Sequence, residues 1–149
     1  MAGFTFSPQI LLDILAAYIL ALPVGWERER HERSAGLRTF PLVSVAACAL
    51  VAIVAKEMGH DAQSRVIQGF IGGIGFIGGG TILKTGQTVH GTATAASILV
   101  TAVLGVCVAY HLYDVAIVLS IISLITLRLF HAWKLLEPGI HKWDPDSSK

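Results

Sequence analysis

The chain has 149 residues, of which 54% are hydrophobic and only 14% charged, and its mean hydropathy is +0.67. Soluble domains carry about a quarter charged residues, so the composition excludes an ordinary soluble domain, a disordered chain and a collagen-like chain. A net charge of +1 leaves no broad basic footprint for nucleic acid. Cys48 and Cys107 both sit in apolar runs, which argues against a disulfide framework or a zinc cluster.

Charges are missing in blocks: none occurs over 39–55, 66–83, 85–113 or 115–127, and Asp13 is the only one before Glu27. A spanning helix needs about 20 mostly apolar residues. The blocks predict five such helices, at about 9–26, 39–56, 66–84, 91–111 and 113–133. A soluble bundle of five helices would need polar outer faces, and 66–84 and 91–111 have none. The expected fold is therefore an all-α integral membrane bundle of five helices with a glycine-rich third helix, its partner the lipid bilayer.

The first segment lacks a basic start and an A-x-A-like site, so it is expected to stay attached rather than be cleaved as a signal. It carries Asp13 inside the apolar stretch, where a carboxylate is costly enough to be a functional candidate. With Glu57, Asp61 and Asp114 it falls on or near one side. Hard oxygen ligands of this kind suit magnesium. The candidate metal residues are Asp13, Glu27 and Asp114; beyond a possible Mg2+, no cofactor is expected.

After the first helix comes Trp26-Glu27-Arg28-Glu29-Arg30-His31-Glu32-Arg33, alternating in sign. It reads as a solvated helix end with Trp26 at the interface, followed by Arg38 and Thr39 at the entrance to the second helix. Nine of the eleven Lys and Arg fall on this side of an alternating five-helix path, leaving Lys56 and Arg65 on the other. The N-terminus (1–8) is then outside, and a short tail (134–149) is cytoplasmic. Arg128 lies near the inner end of the last helix, within snorkelling reach.

The third segment holds Gly69, Gly72, Gly73, Gly75, Gly78, Gly79 and Gly80. Gly73-x-Gly75-x-x-Gly78 matches a dinucleotide-binding pattern, but no acidic residue occurs between Asp61 and Asp114 to hold a ribose. The glycines read instead as close packing within the bundle, or as an interrupted helix whose freed carbonyls line a polar path. Arg65, Gln68, Thr81, Thr92 and Thr94 are candidates for a polar interior, with Ser97 and Thr101 behind them. Membrane hydroxyls also commonly bond back to their own helix. Six scattered histidines form no metal-binding or catalytic spacing, so no enzyme is expected.

Several ordered motifs together resemble the MgtC/SapB membrane family. They are Gly25-x-Glu27-Arg28-Glu29, Arg33-x-Ala35-Gly36-Leu37-Arg38-Thr39, Arg65-x-x-Gln68-Gly69, the run from Gly73 to Gly80, and Gly91-Thr92-Ala93-Thr94-Ala95-Ala96. The similarity runs from about Leu11 to Ala132. It implies a bacterial inner-membrane protein tied to growth under magnesium limitation and, in pathogens, to survival within macrophages. Members have been named magnesium transporters, and some are linked to restraint of the F-type ATP synthase. The motif residues Glu27, Arg28, Glu29, Arg33, Arg38 and Thr39 would form a cytoplasmic polar cluster at the mouth of a glycine-packed core. Longer relatives add an ACT-like domain after the last helix, where here sixteen residues follow Trp133. Position 93 is Ala where the family commonly has a polar residue.

Two functions follow. One is a regulator that binds another membrane protein through small-residue helix faces. The other is a small magnesium transporter or channel, built as a homo-oligomer (dimer or higher) because five short helices make a narrow bundle.

Overall fold

The computed structural model describes residues 8–30, 35–86 and 88–136. It contains α1 (Pro8–Glu29), α2 (Thr39–Glu57), α3 (His60–Gly80), β1 (Leu83–Thr85), β2 (Thr88–His90), α4 (Thr92–Ala109) and α5 (Tyr113–Leu136). Five helices stand where five were expected, joined by one short hairpin that was not. Among them, α1, α2 and α4 are long and apolar enough to cross a membrane. A helix rises about 1.5 Å per residue, so the 22 residues of α1 suffice for a hydrocarbon core of roughly 30 Å.

Two boundaries differ from the sequence reading for clear physical reasons. Helix α1 runs on through Glu29, so Glu27 and Arg28 lie on its last turn and are buried. Helix α3 begins at His60 and stops at Gly80, not at residue 84. The backbone amides of Thr81 and Ile82 bond back to Gly78 and Gly79, which tightens the last turn. The chain then turns into the hairpin, with Leu83 opposite His90, Lys84 opposite Val89 and Thr85 opposite Thr88. Gly91 takes φ +91°, and a Cβ there would overlap the carbonyl of Thr81, so only glycine closes this corner.

Helix α4 is the hub. It packs on α1, α2, α3 and α5 and buries nine of its residues, leaving one stripe through Leu99 and Val103 exposed. Its approach to α2 is closest at Gly105, where an added Cβ would overlap the Ser44 carbonyl and come within 2.9 Å of the Ala47 side chain. Without a hydrophobic drive between helices in lipid, this kind of backbone contact holds a bundle together. Hydroxyls add cross-links: Ser44 Oγ donates to Ala17 O at 3.0 Å, and Ser120 Oγ donates to Leu20 O at 2.7 Å.

Two apolar clusters mark the two ends. Val24, Phe40, Ile98 and Ala102 pack near the Trp26 end, while Ala17, Cys48, Leu104 and Val108 pack toward the other. Helix α3 leans on α2 and α4 and buries only Ile74 and Gly78.

Candidate functional site

The charged motif builds itself from the end of α1. Gly25 lets the chain return closely, since a Cβ there would sit 3.2 Å from Leu37 Cα. Gly36 lies against Glu29, where a Cβ would overlap the carboxylate and stand 3.1 Å from Glu29 Cα. Glu29 Oε2 accepts from the Leu37 amide at 3.1 Å, so the two halves of the motif clasp each other. The Gly36 carbonyl in turn receives the amides of Thr39 and Phe40, opening α2. Arg38 occupies the N-cap position of α2 and is exposed, and Thr39 is its first residue.

Beside this clasp lie two buried charges. Glu27 is 6% exposed and Arg28 is 7% exposed. Glu27 Oε2 accepts from Arg128 Nε at 3.1 Å, which ties α1 to α5. Arg28 Nη2 donates to Ser97 Oγ at 3.4 Å, which ties α1 to α4. Burying ions is costly unless they are partnered, and the partners come from helices 69 and 101 residues away in sequence. Expected site residue Arg33 lies outside the described residues, as do 1–7 of the external segment and 137–149 of the tail.

The hydroxyls divide. Thr94 is buried, and Ser97 and Thr101 bond back to Ala93 and Ser97 of their own helix at 2.7 and 2.8 Å. Thr81 Oγ1 donates to Gly78 O at 2.7 Å, a corner-closing contact. Thr92, Arg65 and Gln68 are exposed on the chain's outside rather than in a polar interior. Helix α3 turns the stripe that carries Arg65 and Gln68 away from α2 and α4.

The same rotation corrects the reading of the glycines. Helix α3 is continuous from His60 to Gly80, so the run does not interrupt a helix. Nor does most of it pack inside the chain. A Cβ at Gly69, Gly72, Gly73, Gly75, Gly79 or Gly80 would meet nothing within 4 Å, whereas at Gly78 it would meet Ala95 O at 3.3 Å. Phe76 stands on the same face and is 84% exposed.

The three metal candidates do not converge. Fourteen residues separate Asp13 from Glu27 on α1, about 21 Å of helix, and Asp114 is exposed at the start of α5. Among the described residues no three His, Cys, Asp or Glu side chains gather around one point. Asp13 is 2% exposed, and its Oδ1 accepts from Gln9 Nε2 at 3.2 Å and from the Tyr113 hydroxyl at 2.5 Å. His111 Nδ1 lies 3.6 Å from the same oxygen. Asp13 thus stands apart from the other two candidates, with its Oδ1 held by donors from α1 and α5.

Sequence reasoning missed Gly105, Ser44, Ser120 and the Asp13–Tyr113 bond. A glycine or hydroxyl isolated in an apolar run was the available signal for the first three.

Comparison with known proteins gives the lineage. The profile described as MgtC family matches residues 14–135. The chain belongs to the MgtC family. YhiD of Escherichia coli strain K12, whose name presents it as a candidate magnesium transporter, is 32% identical over 147 residues, covering 91% of this chain and 67% of YhiD. SrpB of Synechococcus elongatus is 34% identical over 144 residues, covering 84% of this chain and 79% of SrpB. MgtC of Salmonella typhimurium strain LT2 is 34% identical over 114 residues, covering 76% of this chain but 49% of MgtC. No solved structure matches the chain. Family membership and the three long apolar helices together make this a helical membrane protein.

Proposed function

We propose that this MgtC-family chain is a multi-pass protein of the bacterial inner membrane that serves adaptation to magnesium limitation as a non-enzymatic regulator. It docks within the bilayer on another complex, such as the F-type ATP synthase, through the glycine face of α3. The observation that carries this reading is the open stripe Gly69, Gly72, Gly75, Phe76 and Gly79, a helix face that no other part of the described chain fills. Small residues let helix backbones approach closely in lipid. The name given to YhiD supports the magnesium connection. Arg28, Arg30, Arg38, Lys84 and Arg128 gather at the Trp26 end against Lys56 and Arg65 at the other, which supports a cytoplasmic Trp26 end.

A second reading, a homo-oligomeric magnesium transporter, is favoured by the two buried carboxylates Asp13 and Glu27 at opposite ends of α1. Because the glycine face points outward, its path would run between copies rather than through one.

One reconstitution separates the two. Purified chain in liposomes is tested for magnesium uptake, with Asp13→Asn and Glu27→Gln as controls. It is then co-reconstituted with ATP synthase, and ATP-driven proton pumping is followed. The regulator reading expects no uptake and slowed pumping, restored by Gly72→Leu/Gly79→Leu. Uptake that disappears in the carboxylate variants would overturn it in favour of transport.

A further inference from the structure

The hairpin is used by neither reading, and its surface has a definite chemical gradient. Ile82 and Leu83 at its base and Val89 one rung farther out are 41%, 60% and 54% exposed, with His90 opposite Leu83 on the base rung. At the far end stand Thr85 and Thr88, where Thr88 Oγ1 donates to Thr85 O at 2.9 Å and closes the turn. Lys84 shares the middle rung with Val89 and is exposed. Three large apolar side chains in water beside a helix terminus would be unfavourable, at about 25 cal/mol for each Å² left wet.

The base of the ribbon is also fixed in place. Gly91, with its φ of +91°, leads from β2 directly into α4, one of the helices long enough to span. Thr81 Oγ1 bonds Gly78 O and reaches Gly91 O at 3.5 Å, locking both stems of the ribbon to the helix ends. The same end of the bundle carries exposed Trp26, a residue type that settles at the headgroup level. The exposed apolar residues of the ribbon thus share one end of the bundle with Trp26, and the Thr85–Thr88 rung is the farthest from the helix ends.

We propose that the hairpin is a lipid-contact collar. Ile82, Leu83 and Val89 seat in the interfacial layer, and Lys84 pairs with the phosphate of an anionic phospholipid, setting the depth of the α3–α4 end. A basic side chain near an anionic surface is drawn to it. The inference rests on α4 crossing the membrane and is independent of what docks on α3.

The test uses the full chain in vesicles of phosphatidylcholine with or without phosphatidylglycerol. An NBD fluorophore is attached at Leu83→Cys, Val89→Cys or Thr85→Cys; the unsubstituted chain, whose Cys48 and Cys107 are buried, is the labelling control. All three positions are exposed, so the substitutions leave the core untouched. Probes at 83 and 89 should emit to the blue of the probe at 85. Nitroxide-labelled lipid should quench them severalfold more, and aqueous iodide severalfold less. Phosphatidylglycerol should strengthen lipid quenching at 89, and Lys84→Gln should remove that gain. Equal iodide quenching at all three sites would overturn the proposal. So would shielding of 83 and 89 from both quenchers, which would mean that protein, or a second copy, covers them. An unchanged phosphatidylglycerol effect in Lys84→Gln would overturn the lysine's part.

Discussion

Helices α3 and α4 both carry glycine in an apolar setting, yet the two use it in opposite ways. In α4, Gly105 is pressed against the Ser44 carbonyl of α2, and the helix packs on four neighbours. In α3, six of seven glycines have no described residue within reach of an added Cβ. A glycine in a membrane helix marks a place where another backbone can come close; it does not say whether that backbone belongs to the same chain. At Gly105 the partner is internal and the contact is structural. At Gly69, Gly72, Gly75 and Gly79 no described residue supplies that backbone, which is the basis of the docking proposal.

Substitutions should separate these two roles sharply. The largest effect is expected at Gly105→Ala, whose Cβ would force α2 and α4 apart. Overpacking of this kind costs about 1–3 kcal/mol, read as a lower melting temperature of the purified protein in detergent. Tyr113→Phe comes next, because it removes the hydroxyl that donates to buried Asp13 and links α5 to α1. A hydrogen bond to a charged group is worth roughly 1.5–3 kcal/mol when fully buried; with Tyr113 half-buried, about 1 kcal/mol of lost stability is expected by the same melting measurement. Ser44→Ala removes a single hydroxyl bond to Ala17 O and should cost about 0.6 kcal/mol, the average for such bonds in membranes. At the bottom of the scale, Gly72→Leu/Gly79→Leu should leave the fold intact or slightly firmer, since leucine favours the helix by up to about 1 kcal/mol over glycine.

Much of this architecture was readable from the residues, and the failures have physical causes. The charge-free blocks located all five helices, with α2 placed to within one residue at its end. The burial at the end of α1 was hidden because Glu27 and Arg28 look like a solvated helix end until partners far along the chain bury them. The direction in which α3 faces was hidden too. Glycine carries no side chain whose polarity could label one face as inner or outer, so the run was read as internal packing. The hairpin did leave a signal, in the Gly86 that separates two short segments with β-formers, yet a helix continuing to residue 84 absorbed it. Within the charged motif, the clasp of Gly25 and Gly36 around Glu29 was not read from the sequence, because glycine gives no sign of what it lies against. Arg128 as the partner of Glu27 could not be read from spacing at all, because an ion pair across 101 residues has no local pattern.

The most direct measurement is photo-crosslinking from α3 in intact membranes. Phe76, 84% exposed on the glycine face, is replaced by benzoylphenylalanine. Adducts are then identified by mass spectrometry with and without Gly72→Leu/Gly79→Leu. The account predicts a defined protein adduct that the leucines abolish while the melting temperature holds. Lipid adducts alone in both proteins, or leucines that unfold the chain, would contradict it.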